Sequence, residues 1–220
     1  MNKKFAIFDM DGTLVDSMGF WNKLVDEFLA RRGLPPFSPE LQEESIALTM
    51  EGTANLFIRA YRLPETPEQI CAEVNGLMEA HYRSDVPLKP GAADFLERLS
   101  SAGVKMCIAS STAPALIDIC LRRLGVRDYF EFLLSCEEVG EGKNRPTVYL
   151  EAARRMGGVP ENTVIFEDIL VAAQTAKGAG FSLGVIYDVN SDAEQEQLKA
   201  LADCYITRWD DERLLAWLGM

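Results

Sequence analysis

Histidine is almost missing from this chain: His81 is the only one, and the five cysteines include no Cys-x-x-Cys pair. A Ser-His-Asp hydrolase triad and a His/Cys zinc centre therefore both lack their parts. The cysteines, Cys71, Cys107, Cys120, Cys136 and Cys204, are odd in number and scattered, which gives no disulfide framework. Reduced thiols in a cytoplasmic protein are expected, with Cys107, Cys120 and Cys204 inside apolar segments. A basic excess is missing as well, since 22 Lys and Arg face 34 Asp and Glu for a net charge of −12. That balance excludes wholesale binding of nucleic acid or an anionic membrane, both of which need a basic face. No apolar run reaches membrane-spanning length, and the N-terminal one is broken by Asp9 and Asp11, so neither a signal peptide nor a membrane span is expected. Internal repeats and low-complexity tracts are absent too.

Apolar residues make up 48% of the 220 positions, enough for one large domain or a domain carrying a smaller insertion. The chain opens on Phe5-Ala6-Ile7-Phe8 running into Asp9-Met10-Asp11-Gly12-Thr13, which reads as a short buried strand delivering two carboxylates to a turn. From residue 16 to 85 no strand-like run occurs. Helical spacing there predicts a helix from Ser17 to Arg32, with Asp16 or Ser17 as N-cap and Gly33 as the stop. Three more are predicted, at Glu40 to Leu48, Thr53 to Tyr61 and Pro67 to Tyr82. In the last, Ile70, Val74, Leu77, Met78 and His81 keep the spacing. The Pro-rich Leu34 to Pro39 is a turn.

Past Lys89-Pro90-Gly91 the pattern alternates. Predicted strands are Val104 to Ala109, Phe130 to Leu134, Val164 to Phe166, Ser182 to Tyr187 and Cys204 to Ile206. Predicted helices are Ala92 to Ser101, Pro114 to Leu124, Pro146 to Met156, Ala172 to Ala179, Ala193 to Ala202 and Asp210 to Leu218. Alternation with nearly continuous apolar strands predicts an α/β fold with a parallel sheet covered on both faces. The isolated first strand must join that sheet, so residues 1–15 and 86–220 form the core and residues 16–85 a helical insertion.

Ligands bind at the C-terminal ends of strands in open parallel sheets. The polar residues that follow the strands are Asp9 and Asp11, then Ser110-Ser111-Thr112, Lys143 between Gly142 and Asn144, and Glu167-Asp168. Each has a structural alternative. Ser110 to Thr112 can cap the helix opening at Pro114, Lys143 can lie in solvent, and Glu167-Asp168 can start a helix. An Asp-x-Asp-Gly calcium loop is disfavoured because Leu14 and Val15 follow where further oxygen ligands would stand. Taken together, the acids suit a hard divalent cation, Mg²⁺ above all, and the hydroxyls, helix N-terminus and lysine suit a phosphate. An Asp nucleophile then needs only charge screening and in-line placement, while the second carboxylate two residues on can shuttle a proton.

In these residues the chain resembles the haloacid dehalogenase superfamily of phosphotransferases, in the subgroup with a helical cap inserted after the first motif. Asp9-Met10-Asp11-Gly12-Thr13 resembles the first motif, Ser110 the second, Lys143 the third and Glu167-Asp168 the acidic fourth. The resemblance implies a Rossmann-like core with an inserted helical-bundle cap domain and a Mg²⁺-dependent phosphohydrolase acting on a small phosphorylated metabolite. By that likeness Asp9 forms an aspartyl-phosphate and Asp11 is the general acid/base. Ser110, Ser111, Thr112 and Lys143 bind the phosphate, and the metal is held by Asp9, Asp11 through its carbonyl, Asp168 and nearby Glu167. Two departures stand out. Asn144 and Thr147 replace a proline and an acid common around the lysine, with Thr147 still able to cap. Ile169 and Ala172 replace a serine and a glycine after the acidic pair.

Phosphatases and sugar phosphomutases share this pattern. Trp21 stands where β-phosphoglucomutase-like enzymes carry a cap histidine, the Thr49 to Thr53 region lacks their arginine, and Thr13 is the usual phosphatase choice. The expectation is a phosphatase, with a β-phosphoglucomutase-like mutase or a non-catalytic phosphate-binding paralogue as alternatives. Cap residues weighed for specificity are Trp21, Arg59, Arg62 and His81. For them, a core position, solvated surface or a satisfied structural histidine are the competing readings. A monomer or weak homodimer is expected.

Overall fold

The computed structural model of the chain describes residues 3–46 and 48–219. Six strands form one sheet in which every pairing is parallel: β1 (Phe5–Phe8), β2 (Lys105–Ser110), β3 (Phe130–Ser135), β4 (Thr163–Glu167), β5 (Ser182–Ile186) and β6 (Cys204–Ile206). Their order is β3-β2-β1-β4-β5-β6. The chain thus lays down β1, β2 and β3 in one direction, then returns to the other side of β1 for β4. That reversal opens a crevice at the C-terminal ends of β1 and β4, where ligands bind in sheets of this kind. The first strand, alone in the sequence, is central in space, and Phe8 pairs with Ile108 on one side and Phe166 on the other.

Both faces of β1 are buried, which explains its unbroken apolar run. Ala6 and Phe8 point into a layer with Phe95, Phe130, Phe166 and Trp209, covered by α5 (Ala92–Ser101), α6 (Pro114–Arg123) and α11 (Glu212–Leu218). Phe5 and Ile7 point to the opposite layer, under α8 (Thr147–Met156), α9 (Leu170–Gly178) and α10 (Gln195–Leu201). Phe8 stacks on Phe166 with centroids 4.8 Å apart, and Phe95 on Trp209 at 4.9 Å. Gly184 is required under the Phe166 ring, because a Cβ there would lie 2.5 Å from its carbons. A single-turn helix, α7 (Cys136–Val139), follows β3.

Between β1 and α5 the described residues of 16–85 form four helices: α1 (Met18–Arg31), α2 (Pro39–Ser45), α3 (Met50–Tyr61) and α4 (Pro67–Ser84). Sequence signals start three of them. Ser38, Thr49 and Thr66 accept from backbone N–H groups of their first turns, with Pro39 and Pro67 opening α2 and α4 and Gln69 completing a capping box. These helices have an apolar cluster of their own, built on Phe28, Leu29, Ala54, Phe57, Ile70 and Val74. The expected helix at Glu40 to Leu48 ends at Ser45, and Ala47 lies outside the described residues.

The stripe on α4 is Ile70, Val74, Met78 and Tyr82. Its first half joins the helical cluster, and Met78 and Tyr82 join the main core, so one helix is shared by both. Arg123 of α6 donates to the Tyr82 carbonyl at 2.6 Å and to the Val86 carbonyl. The two passages of chain into and out of this segment run side by side, Asp16 N–H bonding Pro87 O at 3.0 Å and Lys89 N–H bonding Leu14 O at 2.8 Å. All five cysteines are free thiols, four of them buried. Among the described residues, no helix is long and apolar enough to cross a membrane.

Candidate active site

Asp9 follows β1 directly, and its N–H still bonds Phe166 O at 3.0 Å, so the sheet ladder itself aims the residue. The chain then turns: Leu14 and Val15 both donate to Met10 O, at 2.9 and 3.0 Å, and Gly12 N–H to Val15 O at 3.0 Å. Gly12 holds φ +79°, and a Cβ there would collide with the Asp168 carboxylate. Glycine is thus demanded twice, by conformation and by the approach of an acid. Trp209 pins the turn from below, its indole N–H donating to Thr13 O at 3.1 Å. Trp209 is fully enclosed, at 2% exposure. Trp209→Ala is expected to lower stability by about 3–5 kcal/mol in denaturant titrations, since it leaves a cavity and an unpaired carbonyl under the site. A loss below about 1 kcal/mol would show that the turn stands without it.

At the crevice, oxygens of Asp9, Glu167 and Asp168 lie within 4.8 Å of one another, all three residues buried. One cation sits among them. Lys143, brought in by the loop between α7 and α8 and itself 3% exposed, bonds the Asp9 carboxylate and Glu167 Oε1, the latter at 2.6 Å. Tyr149 donates to the same Glu167 oxygen at 2.6 Å, and Thr13 to Asp168 Oδ1 at 2.6 Å. Glu167 Oε2 is buried with no hydrogen-bond partner among the described residues. Three buried carboxylates, one ammonium and an orphaned oxygen make a site short of positive charge. Its donors are all oxygen, which fits a hard divalent cation.

The electrostatics agree. Burial pushes the Asp9 carboxyl up, Lys143 pulls it back, and Glu167 and Asp11 push again, leaving it at about 7. Asp168 is held well above the usual carboxylate range by burial and then by Asp9 and Glu167. Burial works to lower Lys143, but Asp9 and Glu167 outweigh it and hold its ammonium above the ordinary range.

The Asp11 carboxylate stands apart from this cluster. Ser17 and Tyr82 donate to its Oδ1 at 2.6 and 2.5 Å, Trp21 Nε1 reaches the same oxygen at 3.3 Å, and Thr112 donates to Oδ2 at 2.8 Å. The Trp21 indole also faces the Tyr82 hydroxyl at 3.2 Å. Burial, and then the Asp11 charge, push the Tyr82 phenol well up, so it keeps its proton to donate. The Asp11 carboxylate thus faces four donors rather than the acid cluster.

Of the other sequence candidates, Ser110, Ser111, Thr112, Lys143 and Trp21 line one pocket with Asp9, Asp11 and Asp168. Ser110 accepts the Thr112 N–H at 3.2 Å, and Ser111 faces Cys136 Sγ at 3.7 Å. None of the three hydroxyls caps α6, whose N-cap position is Ala113. Arg59 and His81 lie outside this lining. Arg59 reaches out to Glu44, and His81 pairs with Asp85 at 2.8 Å beside the Phe20 ring. Arg62 is exposed and ends α3 in the left-handed region. Ser17 occupies the N-cap of α1 but spends its hydroxyl on Asp11, and Thr147 is the first residue of α8 with its hydroxyl on Glu141.

Tyr82 and Tyr149 escaped the sequence reading. A signal for Tyr82 existed: continuing 70, 74 and 78 by four reaches Tyr82, whereas a step of three gives the half-exposed His81. Tyr149 carried no signal, being one apolar residue on the buried face of α8.

The pocket has a volume of about 450 Å³. Its floor is the acids and hydroxyls of the sheet ends. Its roof carries the apolar Met18, Val25, Phe37, Ile46, Leu48 and Met50 interspersed with Asn22, Asp26, Gln42, Ser45 and Thr53, and Asn190, Ser191 and Glu194 close one side from the turn after β5.

A sequence model of the haloacid dehalogenase-like hydrolases matches residues 3–180. Over 187 residues the chain is 27% identical to the phosphorylated carbohydrates phosphatase of Thermotoga maritima, covering 84% of this chain and 86% of that one. It is also 27% identical to hexitol phosphatase B of Escherichia coli K12 over 179 residues, 79% of each chain. Among solved structures, CbbY from Rhodobacter sphaeroides in complex with phosphate superposes with a TM-score of 0.86 at 24% identity, over 99% of this chain and 100% of that one.

Proposed function

The chain belongs to the haloacid dehalogenase-like hydrolases, and from that premise we propose that it is a divalent-cation-dependent phosphatase of small phosphorylated metabolites. The observation that carries this reading is the division of labour among the acids. Asp9, Glu167 and Asp168 converge with Lys143 in the crevice, while the Asp11 carboxylate is held aside by four donors. The names of the relatives, a phosphorylated carbohydrates phosphatase and a hexitol phosphatase, support the same class of substrate.

In this reading Asp9 attacks phosphorus, the bond to the ester oxygen breaks, and Asp11 gives that oxygen a proton. An aspartyl-phosphate on Asp9 results. Asp11 then takes a proton from water as the water attacks phosphorus, which frees phosphate and restores Asp9. With four donors around it, the Asp11 carboxylate accepts on both oxygens, the arrangement of the second half-cycle. Lys143 orients Asp9 and neutralises part of the phosphate charge, and Ser110 with the neighbouring backbone would donate to phosphate oxygens. Asp9, Glu167 and Asp168, with the Asp11 carbonyl, would hold Mg²⁺. When bound, that cation offsets the repulsion between an anionic ester and an anionic nucleophile. Residues 16–85 act as a cap that excludes water, with Trp21 and Tyr82 linking it to Asp11.

The test is metal removal. With p-nitrophenyl phosphate as substrate, phosphate release is expected in Mg²⁺, to fall on the order of 10²-fold or more in EDTA, and to return on re-addition. Undiminished turnover in EDTA would remove the cation from the mechanism.

A further inference from the structure

The pocket wall is one-sided in charge. Among its described residues Lys143 is the sole cation, and its ammonium is already bonded to Asp9 and Glu167. Away from the catalytic acids the wall carries two further carboxylates, Asp26 on α1 and Glu194 beyond β5, and no salt bridge reaches either among the described residues. The rest of the wall is apolar or neutral and polar. Val25, Phe37, Leu48 and Met50 supply the apolar part. Across the mouth, Asn22 donates to Asn190 Oδ1 at 2.6 Å, and Asn190 Nδ2 donates to Asp188 Oδ1 at 2.8 Å, which leaves the Asn22 carbonyl as the amide group of this pair with no partner among the described residues.

Resting on the phosphatase reading, we propose that this pocket selects phosphomonoesters whose leaving group is uncharged and hydroxyl-bearing, and that it discriminates against bisphosphates and phosphorylated acids. A second anionic group on the substrate would come up against the half-buried Glu194 and, at the rim, the exposed Asp26, with no free cation among the described lining residues to receive it. Like charges brought together in a partly enclosed site repel more than they do in open water. An uncharged leaving group avoids that cost. Its hydroxyls meet Asn22, Asn190 and Thr53, and its carbon face meets the apolar residues of the roof.

The test uses matched pairs as competitive inhibitors of p-nitrophenyl phosphate hydrolysis in Mg²⁺. One pair is glucose 6-phosphate against glucose 1,6-bisphosphate, and the other is glycerol 3-phosphate against 3-phosphoglycerate. Each pair differs chiefly by one added anion. The member without the added anion is expected to inhibit at a concentration at least about tenfold lower, a ratio that shrinks as salt is raised. The double variant Asp26→Asn, Glu194→Gln is expected to narrow it by several-fold. Equal inhibition within a pair, preference for the member with the added anion, or no inhibition by any of the four overturns the inference while the reporter reaction still stands. Failure to release phosphate from p-nitrophenyl phosphate overturns the phosphatase reading, and this one with it.

Discussion

Asp9→Asn is expected to lower phosphate release on the order of 10⁴-fold or more, yet to leave the protein at least as stable as its parent in divalent-free buffer. The first half follows from the proposed role of Asp9. An amide keeps the shape of the side chain and an oxygen for Lys143, but it cannot form the aspartyl-phosphate. The second half follows from the burial of three acids around one ammonium. Asp9 is pushed up to about 7 from an ordinary 3.8, first by burial. A raised carboxyl favours the folded state while protonated, so its contribution is full below the unfolded value and is lost as pH rises through about 7.

The parent should therefore lose melting temperature between pH 5 and pH 8 in EDTA, and Asp9→Asn should lose less. The gap should close as Mg²⁺ is added to the parent, because a ligand that binds only the folded state raises its stability by mass action. Melting curves at the two pH values, with and without Mg²⁺, measure all of this. Turnover within tenfold of the parent would remove Asp9 as nucleophile. A variant less stable than the parent at pH 8 would overturn the electrostatic account.

What the sequence shows of this fold is what elementary rules translate directly. A run such as Phe5 to Phe8 is what a strand covered on both faces requires, and an acid straight after it at Asp9 is a strand end in a parallel sheet. Strand order is another matter. That β4 lies beside β1, bringing Asp168 under Gly12, depends on which faces pack together, and no local pattern encodes it. Polar side chains near helix starts were the least legible part. Ser17 and Thr147 read as caps because Ser and Thr usually are. Their hydroxyls went instead to partners brought close by the turn after β1 and by the loop before α8: Ser17 to Asp11, Thr147 to Glu141. Tyr82 shows the converse. Its ring satisfies the apolar stripe, so only the fold reveals that its hydroxyl, 71 residues away in sequence, reaches Asp11.

Lys143→Met should have the opposite signature to Asp9→Asn, and the pair together isolates the charge balance of the site. Methionine replaces the lysine stem with apolar volume but removes the only ammonium that touches Asp9 and Glu167 among the described residues. Breaking a buried ion pair from one side costs about 3–5 kcal/mol, because the remaining charge has neither water nor a partner. Here carboxylates remain, so in divalent-free buffer at pH 8 the variant should lose stability of that order. Acid should restore much of it, since protonating the raised Asp9 and Asp168 carboxyls removes much of the repulsion. The melting temperature of Lys143→Met should therefore fall more steeply from pH 5 to pH 8 than that of the parent, where Asp9→Asn falls less. A divalent cation should recover stability but not activity, which should stay on the order of 10²–10³-fold down for want of the group that steadies phosphate and Asp9. If instead Lys143→Met melts with the pH dependence of the parent, the ammonium is not what holds these acids together. The orphaned Glu167 oxygen would then need another explanation.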